Sequence, residues 1–180
     1  MKMIKFLVVA LVFFSGAGAQ AEQKVRRALS ASGSWSAAEV TGHALFGTDA
    51  CLAFTKARDG STLEVYAPRL SGSETEYTEP TVLIVTKGAK PYIRGILEDD
   101  GARTKVNLML ASTKDEKPAF GLVARVDERK LLVEILRRAS VATVRLVNEK
   151  NREIGRIGFS LKGSTKNIDG AFGGCGLRIE

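Results

Sequence analysis

The chain carries one histidine, His43, and only two cysteines, Cys51 and Cys175, in 180 residues. A zinc site draws on several imidazole or thiolate ligands, so this composition argues against one. Phe, Tyr and Trp together make up 7% of the sequence. Outer-membrane barrels need aromatic girdles and strands of about 9 to 11 residues, and most of the strand-like runs here are shorter. The phosphate-cradling order G-x-x-x-x-G-K-[ST] is missing as well: in "FSLKGSTKNIDGAFGGC", residues 159–175, Lys162 precedes Gly163 and Ser164 stands where the lysine is required. Nucleotide binding is therefore not expected. There is no internal repeat and no low-complexity tract.

Long apolar runs are also scarce. The single one, "FLVVALVFF" at residues 6–14, follows Lys2 and Lys5 and leads to small residues at Ala19 and Ala21. It is too short to cross a bilayer, and the pattern is that of a secretory signal peptide over residues 1–21, cleaved after Ala21. No cysteine follows the run closely, so no lipid anchor is expected. Residues 22–33, small and polar apart from Arg26 and Arg27, read as a flexible lead-in, and residues 34–180 as one domain.

Loss of Lys2 and Lys5 lowers the formal charge from +7 to +5, with 25 basic against 20 acidic side chains. The charges are interspersed and form no basic block, so nucleic acid is not implied; a mild attraction to anionic surfaces is. For an exported protein, periplasmic or secreted, those surfaces are envelope polymers or a host cell.

Export gives the cysteines a meaning. In an oxidising compartment Cys51 and Cys175 pair by default, and closing so long a loop stabilises the fold by up to roughly 5 kcal/mol in the chain-entropy model. The alternative, a Cys51 nucleophile with His43 as its base, lacks an orienting third group. The glycines of residues 163–174 then read as a clasp that turns the chain at Gly163, with a short helical turn around Ile168, and brings Cys175 to Cys51.

From Trp35 onward the chain reads as short strands between turns. "ARDGS" at residues 57–61 marks a hairpin, and "TVLIV" at residues 81–85, apolar without alternation, a central strand buried on both faces. A further pair flanks "EDDG" at residues 98–101, which is a hairpin turn or, in the sharper reading, a calcium loop. In its second half Val106, Leu108 and Leu110 share one face. Residues 126–140 switch to helical period, with Leu131, Leu132, Ile135 and Leu136 on one face and Asp127 placed to cap. "VATVRLV" and "EIGRIGFSL" form a last hairpin across "NEKNR". About nine strands and one or two short helices predict a mostly β, antiparallel, sandwich-like domain.

Three features invite chemistry. Arg138, Arg145 and Arg156 lie around the late helix and last hairpin, where pairing would make a basic stripe; scattered solvent-facing charges are the other reading. Trp35 is either a core anchor or a sugar platform. "SGSETEYTEP" at residues 71–80 is an acidic surface loop. No catalytic residues, metal or cofactor are nominated.

"GSW" at residues 33–35, Cys51 leading a strand, "ERKLLVEILRRAS", "VATVRLV" and above all "IGFSLKG" at residues 157–163 resemble the invasion-associated locus B proteins, exported bacterial proteins of similar length. The resemblance implies a β-sandwich-like domain of the bacterial envelope, associated in pathogens with host-cell entry, and no catalytic residues. The expected role is a non-enzymatic interaction protein for a protein partner or an anionic envelope or host surface. A glycan- or lipid-binding module is the alternative, with an unrecognised hydrolase third.

Overall fold

The computed structural model describes residues 24–43, 47–86, 92–101, 104–110, 121–124 and 128–177, those of Arg129 and Lys130 by backbone alone. The signal peptide over residues 1–21 lies outside them. Ten strands, β1 (Lys24–Ser32), β2 (Trp35–Thr41), β3 (Ala50–Lys56), β4 (Thr62–Pro68), β5 (Thr81–Val85), β6 (Arg94–Asp99), β7 (Lys105–Leu110), β8 (Gly121–Ala124), β9 (Val141–Val147) and β10 (Glu153–Ser160), accompany two helices, α1 (Arg129–Arg138) and α2 (Ser164–Gly174). All the strand pairs are antiparallel, in the order β1-β2-β3-β4-β5-β8-β7-β6-β9-β10. The mostly β, sandwich-like expectation holds.

Local chemistry sets the turns. Between β3 and β4, Gly60 takes a φ of 86°, and the Asp59 carboxylate accepts the Ser61 amide at 2.9 Å and its hydroxyl at 3.0 Å. The EDDG segment forms the β6–β7 turn. Val82, Leu83 and Ile84 are fully buried, as the unalternating run of β5 requires between β4 and β8. Val106 and Leu108 are buried but Leu110 is not. The β6 pairing stops at Met109, which leaves Leu110 a partner strand on one side only.

The sheet folds over, so its two flanks share a core. The Ser160 carbonyl at the end of β10 accepts the Trp35 indole N–H at 2.9 Å and the Ser34 hydroxyl at 3.2 Å. One apolar cluster joins Trp35, Val65, Ile84, Leu97, Val144 and Phe159. Trp35 is thus a core anchor with its polar atom satisfied. Among the described residues no helix is long and apolar enough to cross a membrane.

Three expectations need correction. Residues 22–33 are not a lead-in: Lys24–Ser32 is β1, paired along β2. Irregularities between Val25 and Arg27 and between Ala28 and Ser30 break its alternation, which hides the strand from a period-two reading. In α1 the buried face is Leu132, Val133, Ile135 and Leu136, while Leu131 is exposed. Glu128 occupies the N-cap without a side-chain bond, and Asp127 lies outside the described residues.

The third correction is α2, an 11-residue helix rather than a single turn. Ser164, Asn167, Ile168, Ala171 and Phe172 are buried along one stripe that ends at Cys175, the 3-and-4 spacing of a helix face. Three glycines inside the helix cost roughly 0.5–1 kcal/mol each. Full burial of Ile168 and Phe172 offsets this, at roughly 1.5–3 kcal/mol each. A Cβ on Gly170 would lie 2.9 Å from Ser30 Oγ, and one on Gly174 2.9 Å from Leu29 Cδ2. These glycines let the helix lie close on β1. The disulfide Cys51–Cys175, with Cα atoms 6.4 Å apart, fastens its C-terminal end to β3.

Candidate functional site

The arginines singled out in the sequence separate into two places. Arg145 of β9 and Arg156 of β10 are directly opposite in register, beyond a register shift between Glu153 and Gly155. They do not stand alone. Arg145 meets Glu98 of β6 at 2.9 Å and Glu153 at 3.5 Å, and Arg156 binds Glu153 at 2.6 Å through Nε and at 3.0 Å through a terminal nitrogen. Lys105 of β7 approaches Glu98 at 3.6 Å. The Arg156 guanidinium holds the Glu153 carboxyl below the usual range, with Arg145 adding to the effect, and Glu153 in turn raises Arg156. The stripe is a ladder of alternating sign, with one more positive than negative charge among these five side chains.

Arg138 lies elsewhere, in the last turn of α1, paired with Glu134 at 2.9 Å. It borders a groove of about 240 Å³ between the helix and the β6–β7 turn, with Asp99, Asp100, Thr104, Leu131 and Glu134. Asp100 accepts the Ser140 amide at 3.0 Å, which ties this turn to the end of the helix. Among the described residues no aromatic side chain lines the groove.

A cluster that the sequence reading did not assemble surrounds Glu39. This residue continues the core face of β2, beside Cys51 of β3, and is only 7% exposed. A buried carboxylate requires partners. Arg69 reaches its Oε1 at 2.5 Å, Tyr77 at 3.0 Å and Arg26 at 3.3 Å, and Arg27 Nε reaches Oε2 at 3.3 Å. Arg69 also faces Asp49 at 3.8 Å. Burial raises the Tyr77 pKa, and its hydrogen bond to Glu39 adds to this, against the opposing pull of Arg69. The signal available was a glutamate on an apolar strand, with two adjacent arginines upstream.

His43, fully buried, hydrogen-bonds Glu64 at 2.8 Å and stacks at 4.5 Å on Tyr66, whose pKa burial raises. Tyr66 belongs to the small cluster of Ala38, Val40, Ala50 and Leu52, on the face of β2–β4 opposite to Cys51. With Cys51 held in the disulfide, a Cys51–His43 nucleophile pair is excluded. Among the described residues no group of three or more His, Cys, Asp or Glu side chains is placed to hold a metal ion. No family model matches the chain, and no curated protein or solved structure does either.

Proposed function

We propose that this chain is an exported, non-enzymatic interaction protein of the bacterial envelope that docks a partner through the outer face of β6, β7, β9 and β10. The observation that carries the reading is the charge ladder Lys105–Glu98–Arg145–Glu153–Arg156 across those strands. Charges alternating at strand spacing specify a pattern, which a protein surface can complement at matching positions and a uniformly anionic polymer cannot. The exposed ends of the ladder, Lys105 and Arg156, form ion pairs worth about 0–1 kcal/mol each, so exchanging those for partner charges costs little. A partner protein is therefore favoured over an envelope polymer, and the resemblance adds host-cell entry as its setting.

The test is retention of the purified protein on envelope fractions. Replacing Arg145 and Arg156 with Ser is expected to weaken retention several-fold, and raised salt to do the same to the native protein. Retention indifferent to both changes rejects this surface.

A further inference from the structure

Arg26 and Arg27 are consecutive in β1, yet both side chains reach the same carboxylate. Consecutive residues of a regular strand point to opposite faces. The irregularity between Val25 and Arg27 removes that alternation and turns both guanidiniums toward Glu39. The convergence is built into the backbone.

One carboxylate cannot occupy what is brought to it. Glu39 Oε1 already takes Arg69 at 2.5 Å and Tyr77 at 3.0 Å, and the two β1 arginines sit farther off, at 3.3 Å each. Their side chains are 53% and 54% exposed, so about half of each is open to solvent. A terminal nitrogen of Arg27 is engaged by the Gly174 carbonyl at 2.7 Å, which fixes that guanidinium beside the end of α2. Beneath them Arg69 is 10% exposed, and its Nε is buried with no hydrogen-bond partner. Counting Glu39 and Asp49, the described cluster keeps one positive charge in excess of its acids.

We infer that Arg26 and Arg27, seated over Glu39, form a binding site for a phosphate group. Two adjacent forks offer more N–H donors than the two oxygens of a carboxylate can accept, whereas the three free oxygens of a phosphate monoester can take donors from both. Arg69 and Tyr77 hold Glu39 in place below, so the outer guanidiniums keep their spacing whether or not ligand is bound. The group is carried either by a small phosphorylated molecule or by an anionic lipid with a phosphate monoester headgroup. This inference is independent of the β9–β10 surface.

The experiment titrates the purified, oxidised protein with inorganic phosphate by calorimetry, and in parallel with phosphatidylcholine vesicles with and without phosphatidic acid, whose headgroup is a phosphate monoester. Saturable binding in at least one arm is expected, at least tenfold weaker in the R26S/R27S double variant and unchanged in R145S/R156S. Binding of phosphate identifies the small-molecule source, and binding confined to anionic vesicles the lipid source. The R26K/R27K variant keeps the charge but loses the forks, so its affinity should fall several-fold while thermal stability holds. No saturable binding in either arm, equal loss in both Ser variants, or full affinity in R26K/R27K overturns the inference.

Discussion

Asn167 is fully buried and ties the first turn of α2 to β1. Its Nδ2 donates to the Ser32 carbonyl at 3.2 Å and the Gly163 carbonyl at 2.8 Å, while its Oδ1 accepts the Ser30 hydroxyl at 2.8 Å. Truncation in Asn167→Ala removes all three bonds. At about 1 kcal/mol net per bond, with further cost where a buried partner is orphaned, the expected destabilisation is about 3 kcal/mol. For a domain of this size that lowers the melting temperature by roughly 6–12 °C. The assay is urea unfolding of the oxidised protein, with Ser30→Ala and the S30A/N167A pair completing a cycle. The Ser30–Asn167 contact should give a coupling of about 1 kcal/mol. A loss below about 1 kcal/mol for N167A, or additive single effects, would refute the claim that this side chain docks α2 on β1.

Reduction of Cys51–Cys175, which spans 124 residues, should destabilise the protein by up to about 5 kcal/mol; non-reducing peptide mapping must find this pair, and free thiols in protein from an oxidising compartment would contradict it. Gly163→Ala should destabilise strongly, since φ is 91° and the new Cβ would lie 2.2 Å from Ser32 O, whereas Gly173→Ala, facing open space inside α2, should stabilise by about 0.5–1 kcal/mol. Because Glu153 is shifted downward in the folded state, its contribution to stability is present above its ordinary pKa and is lost as the pH falls through the lowered value. A carboxyl-carbon NMR titration should show that pKa rising in Arg156→Ser, and an unchanged value would remove Arg156 as the main cause. Glu39→Ala, which strands Arg69 in a buried site, should cost about 3–5 kcal/mol; Arg26→Ser and Arg27→Ser should each cost about 1 kcal/mol or less, as thermal or chemical unfolding will show.

What the sequence shows of this fold is what depends on near neighbours. The β3–β4 hairpin follows from Asp59 and Gly60, β5 from its unbroken apolar run, and the β9–β10 pairing from Ile157, Phe159 and Leu161 recurring at every second position. Strand β1 was hidden because its irregular pairing erases the period-two signal, and its small side chains mark no face of their own. Helix α2 was hidden for a different reason. Its glycines argue locally against a helix, and only the surface of β1, far earlier in the chain at Leu29 and Ser30, explains why Gly170 and Gly174 carry no side chain. The same distance limit applies to the charges. Facing of Arg145 and Arg156 follows from one hairpin, but Glu98, which partners Arg145, comes from another.

The two arginine groups differ in what can be exchanged. On the outer sheet face Lys105 and Arg156 are more than half exposed, whereas the Arg145–Glu98 pair is only 23% and 11% exposed, so a partner acid competes at little net cost for Lys105 and Arg156 while Arg145 stays paired with Glu98. Around Glu39 the pair with Arg69 is closed on both sides, at 9% and 10% exposure, and exchanging it would strand a buried charge. Only its outer arginines are open. The buried half therefore acts as scaffold and the exposed half as contact, so the anion affinity of Arg26 and Arg27 can be removed without touching the fold. Cys51 stands next to Glu39 in register, and the Gly174 carbonyl at the end of α2 fixes Arg27. The C-terminal clasp thus holds Arg27 of β1 in position from a point far along the chain.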